Sequence, residues 1–201
     1  MIYKSIIRSS LAPLAVATMT AVFAITPTTK VHAAVLYEEK FEFFEVEGET
    51  SEQIFKDFQK KSPIKAEGQY DAKLGVADIK ITPEAEYEIR GKRCHVENVR
   101  VIVDVVIHLP RWVNYPQADN ENQQRWDKLF NNVKVHEIGH TEIAKDYASR
   151  IEKRMRRQWA RSNCQSLEAT LGKAIGKLIA KHDTAQRKFD KREIARRFLE
   201  R

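Results

Sequence analysis

The sequence predicts an α+β fold: a small antiparallel sheet with one short helix, followed by a long C-terminal helical hairpin. Three patterns carry this reading. Val99, Val101, Val103, Val105, Ile107 and Leu109 alternate strictly with other side chains, as a strand with one core face requires. Leu129, Val133, Ile143, Ala144, Tyr147 and Ile151 recur at three- and four-residue spacing, one stripe of a long helix. After an interruption at Ser162 and Asn163, Leu171, Ile175, Leu178, Ala185 and Phe189 form a second stripe, so the two helices fold back on each other.

At the N-terminus, Lys4 and Arg8 precede an apolar run from Leu11 to Ile25, and the chain then reaches Val31-His32-Ala33. A basic start, a stretch too short for a membrane span and small residues two apart form a secretory signal peptide, with cleavage expected after Ala33. An uncleaved N-terminal anchor is the competing reading, and either one puts the rest of the chain outside the cytoplasm, periplasmic or secreted. Residues 34–201 are expected to form one domain, 34–112 mainly strands and 119–201 the hairpin. No later segment is long and apolar enough to span a bilayer.

The first strand runs from Tyr37 to Val46, where Tyr37, Phe41, Phe43 and Val46 sit among glutamates, as in a strand with one buried face. Thr50 followed three residues later by Gln53 is a capping-box signature, and Ile54, Phe55 and Phe58 make a short amphipathic helix that ends before Pro63. Two further strands, about 75–89 and 94–109, meet at Arg90-Gly91-Lys92. Leu109-Pro110-Arg111-Trp112 is expected to break the second. Asp119 or Asn120 then caps the long helix, which runs to about Ala160.

The net charge of +7 is concentrated in the last third, in runs such as 150–161 and 187–201. The ordinary reading is solvated helix faces. The partner class it suggests is an anionic envelope surface, a wall polymer or phospholipid headgroups. Nucleic acid is not expected as the partner of an exported chain. Cys94 and Cys164 are the only cysteines, and in an oxidising compartment a disulfide is the simpler reading beside two unpaired thiols.

His136-Glu137-Ile138-Gly139-His140 is an H-E-x-x-H on a predicted helix. Positions i and i+4 project from one face, so two imidazoles reach one tetrahedral zinc ion, and the adjacent carboxylate can take a proton from the metal-bound water. The bland alternative is two core histidines satisfied by hydrogen bonds. A zinc site of this kind needs a third protein ligand. Asp146 lies six residues after His140, but a helix that continues carries it off that face. If both helices rise equally from the turn, residue n faces roughly residue 325 minus n, which puts His136 opposite 189 and His140 opposite 185. His182 falls within a turn of that level and on the second helix's stripe, so it is the expected third ligand, ahead of Asp183, Asp190, Glu193 and Asp146. Its competing role is a histidine packed in the helix interface and bonded to a carboxylate.

The remaining candidates have plainer readings. His95 and His108 are half-exposed strand residues. Tyr147 is either an oxyanion donor or core, and Trp112, Trp126 and Trp159 are core or cleft wall. Gly139 would let a neighbouring backbone approach closely.

The order of landmarks resembles a known bacterial group: the aromatic first strand, Cys94, Leu109-Pro110-Arg111-Trp112, Trp126-Asp127, the zinc motif followed by Ile143-Ala144, then Cys164 and Phe189-Asp190. That group is described as predicted secreted zinc-dependent proteases and otherwise carries a domain-of-unknown-function label. The resemblance covers nearly all of the chain beyond the signal segment. It implies a Cys94–Cys164 disulfide and metal binding by His136 and His140. The chain departs from the group where members continue into a Thr-x-His-Gly segment, since it has Glu193-Ile194-Ala195-Arg196 there.

The expected function is an exported zinc metallopeptidase with Glu137 as general base and His136, His140 and His182 on the metal. Its substrate would be a peptide, a protein or a cell-wall peptide. The alternative is a non-catalytic envelope protein whose basic hairpin binds an anionic surface or a protein partner.

Overall fold

The computed structural model describes residues 6–7, 32–62, 74–158 and 160–199. Its elements are β1 (Ile6–Ile7), β2 (His32–Val46), α1 (Ser51–Lys61), β3 (Val76–Arg90), β4 (Arg93–Trp112), α2 (Asn120–Arg156) and α3 (Cys164–Leu199), with a single 3-10 turn at Tyr115–Gln117. Apart from Ile6–Ile7 and His32–Ala33, the expected signal segment lies outside the described residues, and so does Trp159. β2 begins at His32, just before the expected cut.

The class is α+β, and the sheet is mixed, with order β1-β3-β4-β2. The antiparallel expectation holds for β3 and β4 but not for β2, which runs parallel to β4 from His32 beside Asn98 to Val46 beside Trp112. β4 is the most apolar strand. Its insertion between β2 and β3 gives it partners on both edges, whereas alternation within a strand shows a face but not an edge.

β3 and β4 are joined by a two-residue turn in which Gly91, at φ 61°, takes the first central position. A bulge where Glu86 and Tyr87 shift register rephases β4. Cys94 and Val96 therefore face the same core as Val99 through Leu109. β4 does not break at Pro110; it continues to Trp112. β3 begins opposite His108, so beyond that point β4 pairs with β2 alone, and a strand paired on one edge tolerates a proline without an N–H.

α2 lies across β4 and β3, and α3 packs on α2. The core joins Val101, Val103, Ile107 and Leu109 of β4 to Val133, Ala144, Ala148, Ile151 and Met155 of α2 and to Leu167, Leu171 and Ile175 of α3. Each fully buried branched side chain here contributes roughly 1.5–3 kcal/mol. β2 is covered less than its pattern predicts. Val46 is buried, but Phe41 and Phe43 remain 38% and 54% exposed, because β2 is the edge strand and α2 only partly overhangs it.

The helix ends follow the sequence. Thr50 and Gln53 form the capping box of α1, and Asp119 caps α2 by accepting from Asn122 N. α2 closes in a basic turn at Arg156, slightly earlier than expected. Cys94 and Cys164 form a disulfide with Cα atoms 5.1 Å apart. Cys94 also exchanges two backbone hydrogen bonds with Arg161, so the hairpin turn is pinned to the start of β4. No described helix is long and apolar enough to cross a membrane.

Candidate metal centre

His136 and His140 project from α2 towards α3, and the residue that meets them is Asp190. His136 Nε2 and His140 Nε2 stand 3.2 Å apart, and Asp190 Oδ1 lies 3.2 Å from the first and 2.9 Å from the second. All three side chains are partly buried. Among the described residues they are the one group of His, Cys, Asp or Glu with metal-ligand geometry. Ligands on a tetrahedral ion with bonds of about 2.0–2.1 Å sit roughly 3.3 Å from one another, so the donor set fits a divalent ion.

The facing arithmetic of the hairpin is close to what the structure has. The Phe189 ring stacks on His136 at 5.0 Å and 21° and meets His140 edge-on at 5.0 Å. It reaches both because Gly139 lies beneath it. A Cβ on Gly139 would come within 2.4 Å of Phe189 Cζ. The close neighbour at this glycine is thus a ring, not the backbone expected from sequence.

His182 lies on the interface stripe as expected, buried at 9% exposure, yet it is not gathered with the other two histidines. It packs edge-on against Tyr147 and bonds through Nδ1 to Asp183 Oδ1 at 3.1 Å. Its Nε2 is 2.9 Å from Gln186 Nε2, while Gln186 Oε1 is 2.6 Å from His140 Nδ1. These contacts form one consistent chain. Nδ1–H of His140 donates to Gln186, whose amide N–H donates to His182, whose own Nδ1–H donates to Asp183. That order leaves the Nε2 lone pair of His140 pointing into the metal group.

The other candidates fall elsewhere. Asp146 is exposed and paired with Arg150 at 2.6 Å. His108 faces Glu42 across the sheet edge at 3.5 Å, and His95 is half-exposed. Tyr147 is buried, with its ring between His182 and the Arg150 guanidinium.

Glu137, next to His136 on α2, is only 5% exposed. Its Oε2 accepts from the N–H of Ala77 at 2.9 Å. Gly75 allows β3 to enter this close, since a Cβ there would lie 2.6 Å from Val133 Cγ1 and 3.1 Å from Glu137 Cγ. Beyond Val133 opens an apolar cavity of about 510 Å³, walled by Phe55, Phe58, Leu74, Trp112 and Trp126. Trp112 Nε1 donates to Gly48 O at 2.8 Å, which satisfies its polar edge and leaves the ring as wall. On the β2 side of α2, burial and then donation to Glu39 hold the Tyr37 hydroxyl above the usual phenol range. The Lys145 ammonium, 4.1 Å over the Tyr37 ring, is itself raised first by its bond to Glu142.

Sequence reasoning ranked Asp190 below His182 and did not single out Gln186. The signal for both was in the facing relation, which pairs His140 with a residue near 185 and His136 with one near 189.

No curated protein and no solved structure matches the chain. The family described as "Bacterial protein of unknown function (DUF922)" matches residues 41–195, and the chain belongs to it.

Proposed function

We propose that this protein is an exported zinc-dependent metallopeptidase whose metal is held by His136, His140 and Asp190. The observation that carries the reading is the triangle of donor atoms with edges of 3.2, 3.2 and 2.9 Å beside a buried glutamate. Two imidazoles and one carboxylate leave a coordination position for water or substrate, the arrangement of catalytic rather than structural zinc sites. An ion bound there would supply Lewis acidity and a water acidic enough to attack a carbonyl near neutral pH.

The chain's own residues supply the rest. Glu137 follows His136 directly and serves as the general base, receiving the proton of the attacking water and passing it to the leaving amine. Its hydrogen bond from Ala77 N fixes the rotation of the carboxylate. Gln186 holds the His140 ring in its tautomer, and Phe189 keeps both imidazoles from turning. The apolar cavity one turn from Glu137 is suited to a large hydrophobic side chain of the substrate. The disulfide fits the oxidising compartment that an exported enzyme occupies.

The test is elemental analysis of the purified protein, reading zinc, iron and manganese together, with hydrolysis of a peptide library. One zinc per chain is expected in wild type, with loss in His136→Ala and Asp190→Ala. Glu137→Gln should keep the zinc and lose hydrolysis. Absence of zinc after reconstitution, or iron in its place, would overturn the reading.

A further inference from the structure

Ten residues beyond His140, about 15 Å along α2, the seam between the two long helices opens into a concave groove of about 630 Å³. The α2 wall carries Arg150, Lys153 and Arg154, with Arg157 at the cap just beyond the helix. The α3 wall carries Lys173, Lys177 and Lys181, spaced i, i+4, i+8 over about 12 Å. Ala174 and Leu178 lie between the walls, and no acidic side chain lines the groove.

Such an arrangement works against folding. Like charges four residues apart on a helix repel, and acidic residues at neighbouring positions would relieve them. Among the described residues, Lys153, Arg157, Lys173, Lys177 and Lys181 take part in no ion pair. Of the groove's described cations only Arg150 is neutralised, by Asp146 at 2.6 Å; the other cations of the two facing rows form a trough whose field is focused along one line.

We propose that this groove binds a linear polyanion, a polyol or sugar chain with a negative charge on every repeat, laid lengthwise between α2 and α3. Concavity selects this occupant. A flat headgroup layer touches the two rims and leaves the floor empty, whereas a flexible strand fills the trough and meets cations from both sides. The groove lacks the aromatic platforms on which nucleic-acid bases stack, which argues against a nucleic acid. The site is separate from the metal group, so its occupancy does not depend on the peptidase reading.

The experiment measures binding of long-chain polyphosphate to the whole protein across a salt series. Two triple variants of equal net charge are compared: Lys173→Ala/Lys177→Ala/Lys181→Ala in the groove, and Lys56→Ala/Lys60→Ala/Lys128→Ala elsewhere. All six positions are exposed and helical. The groove variant should weaken binding at least about tenfold and lower the slope of log affinity against log salt by roughly 2, as loss of three single-strand phosphate contacts predicts. The second variant should stay within about twofold, and Asp190→Ala should bind as wild type does. Equal weakening by both triples, or no saturable binding, would overturn the proposal. So would capture by vesicles of phosphatidylglycerol that polyphosphate does not displace, or tighter binding of oligo-dT than of polyphosphate.

Discussion

The Phe189 ring rests on the bare Cα of Gly139, where a methyl group would stand 2.4 Å from its Cζ atom. This contact lets one ring brace both metal-facing imidazoles and sets the height at which the next residue, Asp190, meets them. Gly139→Ala must therefore displace Phe189. The helix gains about 1 kcal/mol of propensity, and the overpacked interface costs about 1–3 kcal/mol. The expected result is a clear loss of metal affinity with a net destabilisation of about 0–2 kcal/mol, a melting temperature lower by at most about 8 °C. Unchanged metal binding would show that the ring yields without moving Asp190.

The hydrogen-bonded chain from His140 through Gln186 to His182 predicts graded effects. Gln186→Leu should weaken metal binding about 10- to 100-fold, as loss of a partner that orients a ligand does. His182→Ala, one step further out, should weaken it less and leave full occupancy at saturating zinc. Titration with a competing chelator reads both. Abolished binding in His182→Ala alone would make His182 a ligand after all.

The disulfide closes a loop across a sequence separation of 70 residues. On the chain-entropy account, replacing both cysteines by alanine should cost about 4 kcal/mol, seen as a lower urea midpoint. Because the same cysteine carries the bridge to Arg161, the loss should extend to the start of α3 in hydrogen exchange.

The apolar cavity predicts a change in specificity. Val133→Phe projects a ring into the space beside Glu137 and should reduce kcat/KM for peptides with a large apolar residue next to the scissile bond by about tenfold or more. Peptides with alanine there should be little affected. Equal loss on both would place the cavity outside the substrate path.

Asp57 links α1 to the end of β2, accepting from Glu47 N at 2.8 Å and pairing with Lys61 at 3.1 Å. The backbone hydrogen bond first, then Lys61, hold its carboxyl below the ordinary value. A depressed folded value means that this contribution is present above the unfolded pKa and is lost as pH falls through the folded one. Asp57→Asn should therefore lower stability by a constant amount at neutral and alkaline pH and leave it little changed at low pH, so that the acid side of the profile, read as urea midpoint against pH, becomes flatter.

Much of the fold was legible because burial imposes period. The stripes of α2 and α3 set the hairpin, and the hairpin set which residues face each other to within about one position. The choice between His182 and Asp190 was not legible. Both lie near the right level, and the decision rests on where Phe189 settles once Gly139 makes room. The same limit hid the parallel pairing of β2, since alternation in 37–46 is indifferent to the direction of its neighbour. The motif singled out Glu137, but its hydrogen-bond partner, Ala77 N, comes from a strand 60 residues earlier.

The pinning of Cys164 to Cys94 has a consequence for damage. The turn after α2 exposes Arg157, a natural point for tryptic nicking. A cut there leaves α3 sulfur-bonded to the sheet, so Asp190 should stay opposite His136 and His140 in the nicked molecule. Only reduction after cleavage frees the last helix. The protein should survive either insult alone and fail under both.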